Sequence, residues 1–132
     1  NSAHHGVEGL VTFIQSDWFS ALKPERSSFD LILVNPPYIR EGEGDLSPET
    51  AFEPQTALYA GFDGLDAYRV IFREFGSFLT QRGSLVFEAG SGQQGELEGL
   101  FREVCSDGLL KSSPFTPFYD LAGLFRGGIA RG

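Results

Sequence analysis

Phe29-Asp30-Leu31-Ile32-Leu33-Val34-Asn35-Pro36-Pro37-Tyr38 is the stretch on which the fold class turns. Leu31, Ile32, Leu33 and Val34 form a continuous branched apolar run, the pattern of a strand buried on both faces. The run stops at Asn35-Pro36-Pro37-Tyr38. Neither proline can donate to a ladder, so the strand ends there. Pro36 restricts the backbone of Asn35, and Pro37 that of Pro36. The result is a stiff turn that holds one amide side chain, one free carbonyl and one aromatic ring at the carboxyl end of a strand. In open α/β sheets, ligands bind at that end.

Composition sets the outer limits. The chain has 132 residues, enough for one domain with a core, and its hydrophobic fraction of 41% is ordinary for a globular protein. No apolar run approaches the roughly 20 residues that span a bilayer, so no membrane contact is expected. Residues 1–9 are polar and lack a signal-peptide pattern. The single cysteine, Cys105, has no partner for an internal disulfide and excludes a cysteine-based metal cluster, which fits a cytoplasmic setting. His4 and His5 lack a third ligand nearby, so no metal is expected. The net charge is −8 and the ten basic residues are scattered, which argues against direct nucleic-acid binding. An acidic surface suits a basic protein partner, or solubility alone.

The rest of the chain reads in order around the central strand. Asn1-Ser2-Ala3-His4-His5-Gly6-Val7 has the character of a helix end, with Gly6 just past it. Too few residues precede it to complete a helix, so the chain is expected to begin inside a larger fold. Residues 11–15 are a short strand candidate. Residues 17–22 suit a helical turn capped by Ser16 or Asp17. Residues 39–62 are acidic, rich in glycine and proline, and without periodicity, so they read as a lid or substrate loop. A helix is expected over residues 65–79, with Ile71, Phe75, Phe78 and Leu79 on one face. Gln81-Arg82-Gly83 reads as a turn and residues 84–89 as a second buried strand.

Ser91 and Gln94 have the spacing of a capping box. The helix that follows, about residues 93–105, carries Leu97, Leu100, Phe101, Val104 and Cys105 on one stripe, and Asp107-Gly108 stops it. Residues 109–119 read as a strand near an edge, since Pro114 and Pro117 interrupt it. Asp120-Leu121-Ala122-Gly123 is a turn and residues 124–130 a last strand. This order predicts an α/β fold, mainly parallel, with a terminal antiparallel hairpin.

The turn has a definite chemistry. An Asn side chain beside a Pro carbonyl offers two acceptors. Two acceptors at one end of a pocket suit a planar amino group with two N–H donors, and Tyr38 can lie flat against that group or face a cation. The matching reaction is methyl transfer from a sulfonium to an amide or aryl amine, whose lone pair is delocalised and needs aiming. The alternative is that Asn35-Pro36-Pro37-Tyr38 only ends a strand.

These residues resemble the Asn-Pro-Pro-Tyr signature of S-adenosylmethionine-dependent amino-group methyltransferases. Within them the chain looks most like the release-factor glutamine methyltransferases, the protein-glutamine N-methyltransferases that modify peptide-chain release factors. Further matches are Asn1-Ser2-Ala3-His4-His5-Gly6-Val7, Gln15-Ser16-Asp17-Trp18-Phe19, and Phe52-Glu53-Pro54 with Ala57-Leu58. Asp63-Gly64-Leu65, residues 83–90 with Gln93-Gln94-Gly95, and Asp120-Leu121-Ala122-Gly123 followed by Arg126 complete them.

The resemblance implies that Asn35 and the Pro36 carbonyl bind the glutamine amide nitrogen, that Pro37 belongs to the same substrate turn, and that Tyr38 walls the transfer site. It implies that Asp17 accepts from the adenine amine, that Trp18 packs on the adenine ring, and that Asn35 also borders the cofactor. Glu53 lies in the loop that meets the substrate protein, although structural roles are favoured for Glu53 and Glu88, and Trp18 can equally be core.

The resemblance also implies what is missing. Family members carry a glycine-rich cofactor loop and an acidic ribose ligand ahead of the stretch matched here, and neither is in this sequence. Gly90-Ser91-Gly92 follows a late strand and is no substitute. Residues 1–132 are therefore expected to be the C-terminal portion of a Rossmann-like methyltransferase sheet, a partial catalytic domain inactive by itself. Without its family neighbours, the segment 1–23 is expected to be displaced, mobile, or paired with another chain by strand exchange or dimerisation. Two other functions fit the residues: an amino methyltransferase acting on adenine or guanine in nucleic acid, and a non-catalytic binding or assembly module.

Overall fold

The computed structural model describes residues 1–24, 28–42, 53–105 and 115–131. The chain forms β1 (Phe29–Val34), α1 (Gln55–Leu58), α2 (Asp66–Glu74), β2 (Leu79–Glu88), α3 (Gln94–Cys105), β3 (Thr116–Tyr119) and β4 (Phe125–Arg131). The strands make one sheet in the order β1-β2-β4-β3. This is an α/β fold, but it is not mainly parallel: β1–β2 is parallel, while β2–β4 and β3–β4 are antiparallel. Connectivity explains the difference. A helical crossover joins β1 to β2 and restores the chain direction, whereas a tight hairpin joins β3 to β4, and β4 takes the place beside β2.

Among the described residues, the sheet is covered on one face. Ile32, Leu85 and Phe87 point into a core with α2 and α3. The other face carries Leu31, Leu33 and Val86, and Leu33 is 68% exposed. The expectation that β1 is buried on both faces is therefore corrected: only alternate residues are covered. The core is aromatic. Phe72 meets Phe87 and Phe101 edge-on at centroid distances of 5.1 and 5.0 Å, and Phe115 meets Phe87 at 4.9 Å. Each such pair contributes about 0.5–1.5 kcal/mol beyond its area. The cluster needs Gly128 on β4, where a Cβ would run into the Phe115 ring.

Helix α2 buries Ala67, Tyr68, Ile71 and Phe72 on one face. It is shorter than expected: a 3-10 turn over Phe75–Phe78 follows, with helix-weakening Gly76 inside it, and Leu79 already belongs to β2. The expected turn at Gln81-Arg82-Gly83 lies within β2. The register jumps from Phe29↔Leu79 to Leu31↔Ser84, so the residues between bulge from the ladder rather than end it. Leu97, Leu100 and Phe101 of α3 are buried as the stripe predicts. The expected strand over 109–119 is described only as β3; its earlier part lies outside the described residues, as does Asp107-Gly108.

The N-terminal residues do end as a helix ends. Val7 N–H donates to the Ser2 carbonyl at 3.0 Å and Gly6 N–H to the Ala3 carbonyl at 3.1 Å, with Gly6 at φ +65. This is the Schellman pattern, with Gly6 at its left-handed position. The expected strand over 11–15 is absent. Val11 is extended, but residues 11–16 form neither helix nor strand, and Leu10 and Phe13 are 86% and 82% exposed. An extended segment becomes a strand only against a partner edge, and the described sheet gives it none. The segment 1–23 is not wholly displaced, however: Phe19 is buried and stacks on Phe78 at 4.8 Å.

Candidate functional site

The proline turn alternates sides. Pro36 is buried, Pro37 and Tyr38 are half-buried, and Asn35 is exposed. Asn35 thereby keeps the outward direction of Leu31 and Leu33 and borders a cleft of about 540 Å³ with Leu33, Val86, Glu88, Phe118 and Arg126. The cleft lies at the carboxyl ends of β1 and β2, the end where ligands enter such sheets. The β3–β4 hairpin tip stands at the same end, because Glu88 pairs with Gly127 and Tyr119 with Phe125.

One carboxylate builds that tip. Asp120 accepts from the Ala122 and Leu124 N–H groups at 2.9 and 3.0 Å and from Arg126 Nε at 2.8 Å. The Leu124 amide first, with Arg126 beside it, holds the Asp120 carboxyl below the usual carboxylate range. Arg126 is thus oriented where it borders the Asn35 cleft.

After the turn the chain is gripped on two sides. Ile39 N–H donates to Leu58 O at 3.0 Å, Ala60 N–H to Ile39 O at 2.9 Å, and Glu41 N–H to Gly61 O at 3.0 Å. These bonds close the base of the acidic loop, whose residues 43–52 lie outside the described residues. The short helix α1 within the 39–62 stretch escaped the sequence reading, since four residues carry no periodic signal. On the other side, Gln93 Nε2 donates to Tyr38 O at 3.1 Å, and Arg40 Nη2 reaches both Glu96 oxygens at 2.7 and 2.8 Å. Gln93 Oε1 accepts from Gly90 N–H at 3.0 Å. That bond stands where a Ser91 capping box was expected.

Trp18 borders a second cleft, of about 280 Å³, together with Pro37, Tyr59 and Asp66. Its backbone sits at φ +48, a sparsely populated region for a bulky residue. Ser16 supports this turn: its Oγ accepts from Ala21 N–H at 2.9 Å. Asp17 is exposed, and its N–H donates to Ser20 Oγ at 3.2 Å. Thus Pro37 and Trp18 share one cleft, while Asn35 lines another. Glu53 is exposed beside α1 and lines neither. His4 and His5 contact each other edge-on at 5.1 Å, and among the described residues no cluster could hold a metal.

Below the clefts, α2 fixes the frame. Asp63 accepts from Leu65 N–H at 3.1 Å, and its Oδ1 from Arg69 Nη1 at 3.0 Å. The Arg69 hydrogen bonds hold the Asp63 carboxyl low. Tyr68, fully buried, donates its hydroxyl to Glu88 O at 2.7 Å, and burial pushes its phenol well up, reinforced by Tyr38 and Glu88. Sequence reasoning missed Gln93 as a polar clip and Arg126 and Phe118 as cleft walls. An Arg in a glycine-rich strand was the available hint for Arg126.

No protein-family model matches the chain. Curated relatives do. A release factor glutamine methyltransferase of Cereibacter sphaeroides is 46% identical over 76% of this chain and 36% of its own length. One from Rhodospirillum rubrum is 39% identical over 76% of the chain and 30% of its own length. A ribosomal protein uL3 glutamine methyltransferase of Bradyrhizobium diazoefficiens is 41% identical over 71% of the chain and 29% of its own length. The chain thus spans about a third of the length of these relatives. Among the described residues, no helix is long and apolar enough to cross a membrane. Over the matched stretch the chain is similar to release factor glutamine methyltransferases and to a ribosomal protein uL3 glutamine methyltransferase.

Proposed function

We propose that the protein takes part in transferring a methyl group from S-adenosylmethionine to the side-chain amide nitrogen of a glutamine in a peptide-chain release factor. The described sheet is read as the C-terminal portion of a Rossmann-like methyltransferase sheet, and residues 1–132 as the acceptor-side part of the catalytic domain. The observation that carries this reading is Asn35, exposed on a cleft at the carboxyl end of β1 and backed by buried Pro36.

The chain's own residues have separable tasks. Asn35 Oδ1 and the Pro36 carbonyl accept the two N–H bonds of the acceptor amide. Holding both protons turns the nitrogen lone pair toward the incoming carbon, so positioning contributes most of the rate. Tyr38 walls the site and Glu53 faces the protein substrate. Asp17 and Trp18 fit the adenine end of the cofactor: the half-buried Trp18 ring gives a flat aromatic wall beside Pro37. S-adenosylmethionine, when bound, supplies an electrophilic methyl carbon on a sulfonium.

Methylation of a release factor by the complete encoded protein tests the reading. Asn35→Ala is expected to lower kcat at least a hundredfold with the fold intact. Wild-type turnover in that variant would remove Asn35 from the reaction. The name of the Bradyrhizobium relative supports a second substrate, ribosomal protein uL3, and the same assay with that protein compares the two.

A further inference from the structure

Gln93 is the buried polar side chain of the described core, 5% exposed, and every functional atom of its amide is used. Nε2 donates to Tyr38 O at 3.1 Å and to Gly64 O at 3.2 Å, and Oε1 accepts from Gly90 N–H at 3.0 Å. Three separate segments therefore meet on one amide: the end of the proline turn, the Asp63-Gly64 corner ahead of α2, and the Gly90 corner after β2. The packing leaves no slack. A Cβ on Gly64 would lie 2.6 Å from Tyr38 O and 3.0 Å from Gln93 Nε2. One on Gly90 would lie 3.0 Å from Gln93 Oε1 and 3.4 Å from Tyr38 Cδ2. Gln93 immediately precedes α3 and is tied to its first turn, since Leu97 N–H donates to its carbonyl at 3.0 Å.

We propose that Gln93 is a positioning residue for methyl transfer, setting the height and tilt of the Asn35-Pro36-Pro37-Tyr38 turn by holding the Tyr38 carbonyl against Gly64 and Gly90. This rests on the reading of that turn as the acceptor side. The chemistry selects an amide specifically. The site offers two carbonyl acceptors on one side and one N–H donor on the other, so it needs a group that both donates twice and accepts once. A carboxylate of the same shape would set lone pairs against two carbonyl oxygens. Acceptor geometry tolerates little error, because a displacement of about 1 Å can cost on the order of a hundredfold in rate.

The test is Gln93→Glu in the complete encoded protein, assayed with S-adenosylmethionine and a release factor. Turnover is scaled to the folded fraction by circular dichroism. The expected result is a kcat at least tenfold lower at about pH 8. The loss should shrink toward about pH 6, because protonation of a buried carboxyl facing two carbonyls restores one donor. A folded variant with wild-type kcat at both pH values, or a loss that follows the unfolded fraction alone, overturns the proposal. If Gln93→Glu does not fold, Gln93→Asn carries the same test, since it keeps both functional groups and shortens the reach. Asn35→Ala run alongside separates the two readings. Inactive Asn35→Ala with fully active Gln93→Glu defeats only the Gln93 proposal, whereas fully active Asn35→Ala defeats the acceptor reading beneath it.

Discussion

The Tyr68 hydroxyl donates to the main-chain oxygen of Glu88 at 2.7 Å, so the buried face of α2 is bonded to the last residue of β2, at the rim of the Asn35 cleft. Tyr68→Phe keeps the ring packing and strands the carbonyl. The expected cost is about 1–2 kcal/mol of stability, read from the shift of a urea unfolding midpoint. An unchanged midpoint would mean that water replaces the hydroxyl.

The same residue sets an alkaline limit. Burial raises the Tyr68 phenol above its ordinary value of 10.0. A raised folded value favours the neutral form in the fold, so the stabilisation is fully present below about pH 10 and is lost as pH rises toward the folded value. Stability is therefore expected to fall above about pH 10 in the wild type, with a smaller slope in Tyr68→Phe. Equal slopes in the two proteins would assign the alkaline loss to other groups.

Two glycines should respond oppositely to alanine. At Gly128 a Cβ would strike the Phe115 ring within the aromatic cluster, and overpacking there is expected to cost about 1–3 kcal/mol. At Gly76 a Cβ meets nothing within 4 Å and φ is not positive, so Gly76→Ala is expected to stabilise by about 0.4–1 kcal/mol. Thermal unfolding of the two variants decides both signs, and a destabilised Gly76→Ala would point to a role for the 3-10 turn that packing does not explain.

Acid should loosen the hairpin tip before the core. The Asp120 carboxyl is held low by the Leu124 amide and by Arg126. A lowered folded value means its contribution is present above the ordinary carboxylate range and is lost as pH falls through the folded value. The amide resonances of Ala122 and Leu124 are expected to shift together, with a midpoint below about 3.9. In Asp120→Asn they should not titrate. A midpoint at or above the ordinary range would show that the carboxylate is not anchored as its bonds indicate.

Some of this was legible in the chain and some was not. The strand Phe29–Val34 and its proline stop show in the sequence because backbone restriction is local. The stripe on α3 and the hairpin turn at Asp120-Leu121-Ala122-Gly123 also carry their signals in a few residues. The β2–β4 adjacency does not, since which hairpin strand meets β2 is settled by how Phe115, Phe125 and Phe87 pack across Gly128. The residues 11–15 show the limit from the other side. They have strand composition and an extended start, yet composition cannot supply an edge to pair with. Gln93 was invisible as a clip because its three partners, Tyr38, Gly64 and Gly90, are brought together only by the fold.

The face of the sheet turned away from α2 and α3 leads to a last expectation. Leu31 and Leu33 are 52% and 68% exposed on β1, an edge strand of the described sheet, while Leu85 on the neighbouring strand is fully buried. Two leucines of one sheet should therefore behave differently. Leu85→Ala removes core contacts and is expected to cost about 2–5 kcal/mol. Leu33→Lys removes almost none and is expected to change stability by less than about 1 kcal/mol. An apolar edge strand is, however, a surface on which chains associate, and a lysine there opposes pairing. Sedimentation of the isolated chain is expected to show concentration-dependent association that Leu33→Lys reduces. If the two proteins sediment alike at every concentration, β1 is not the associating surface, and its exposed leucines have no consequence for the free chain.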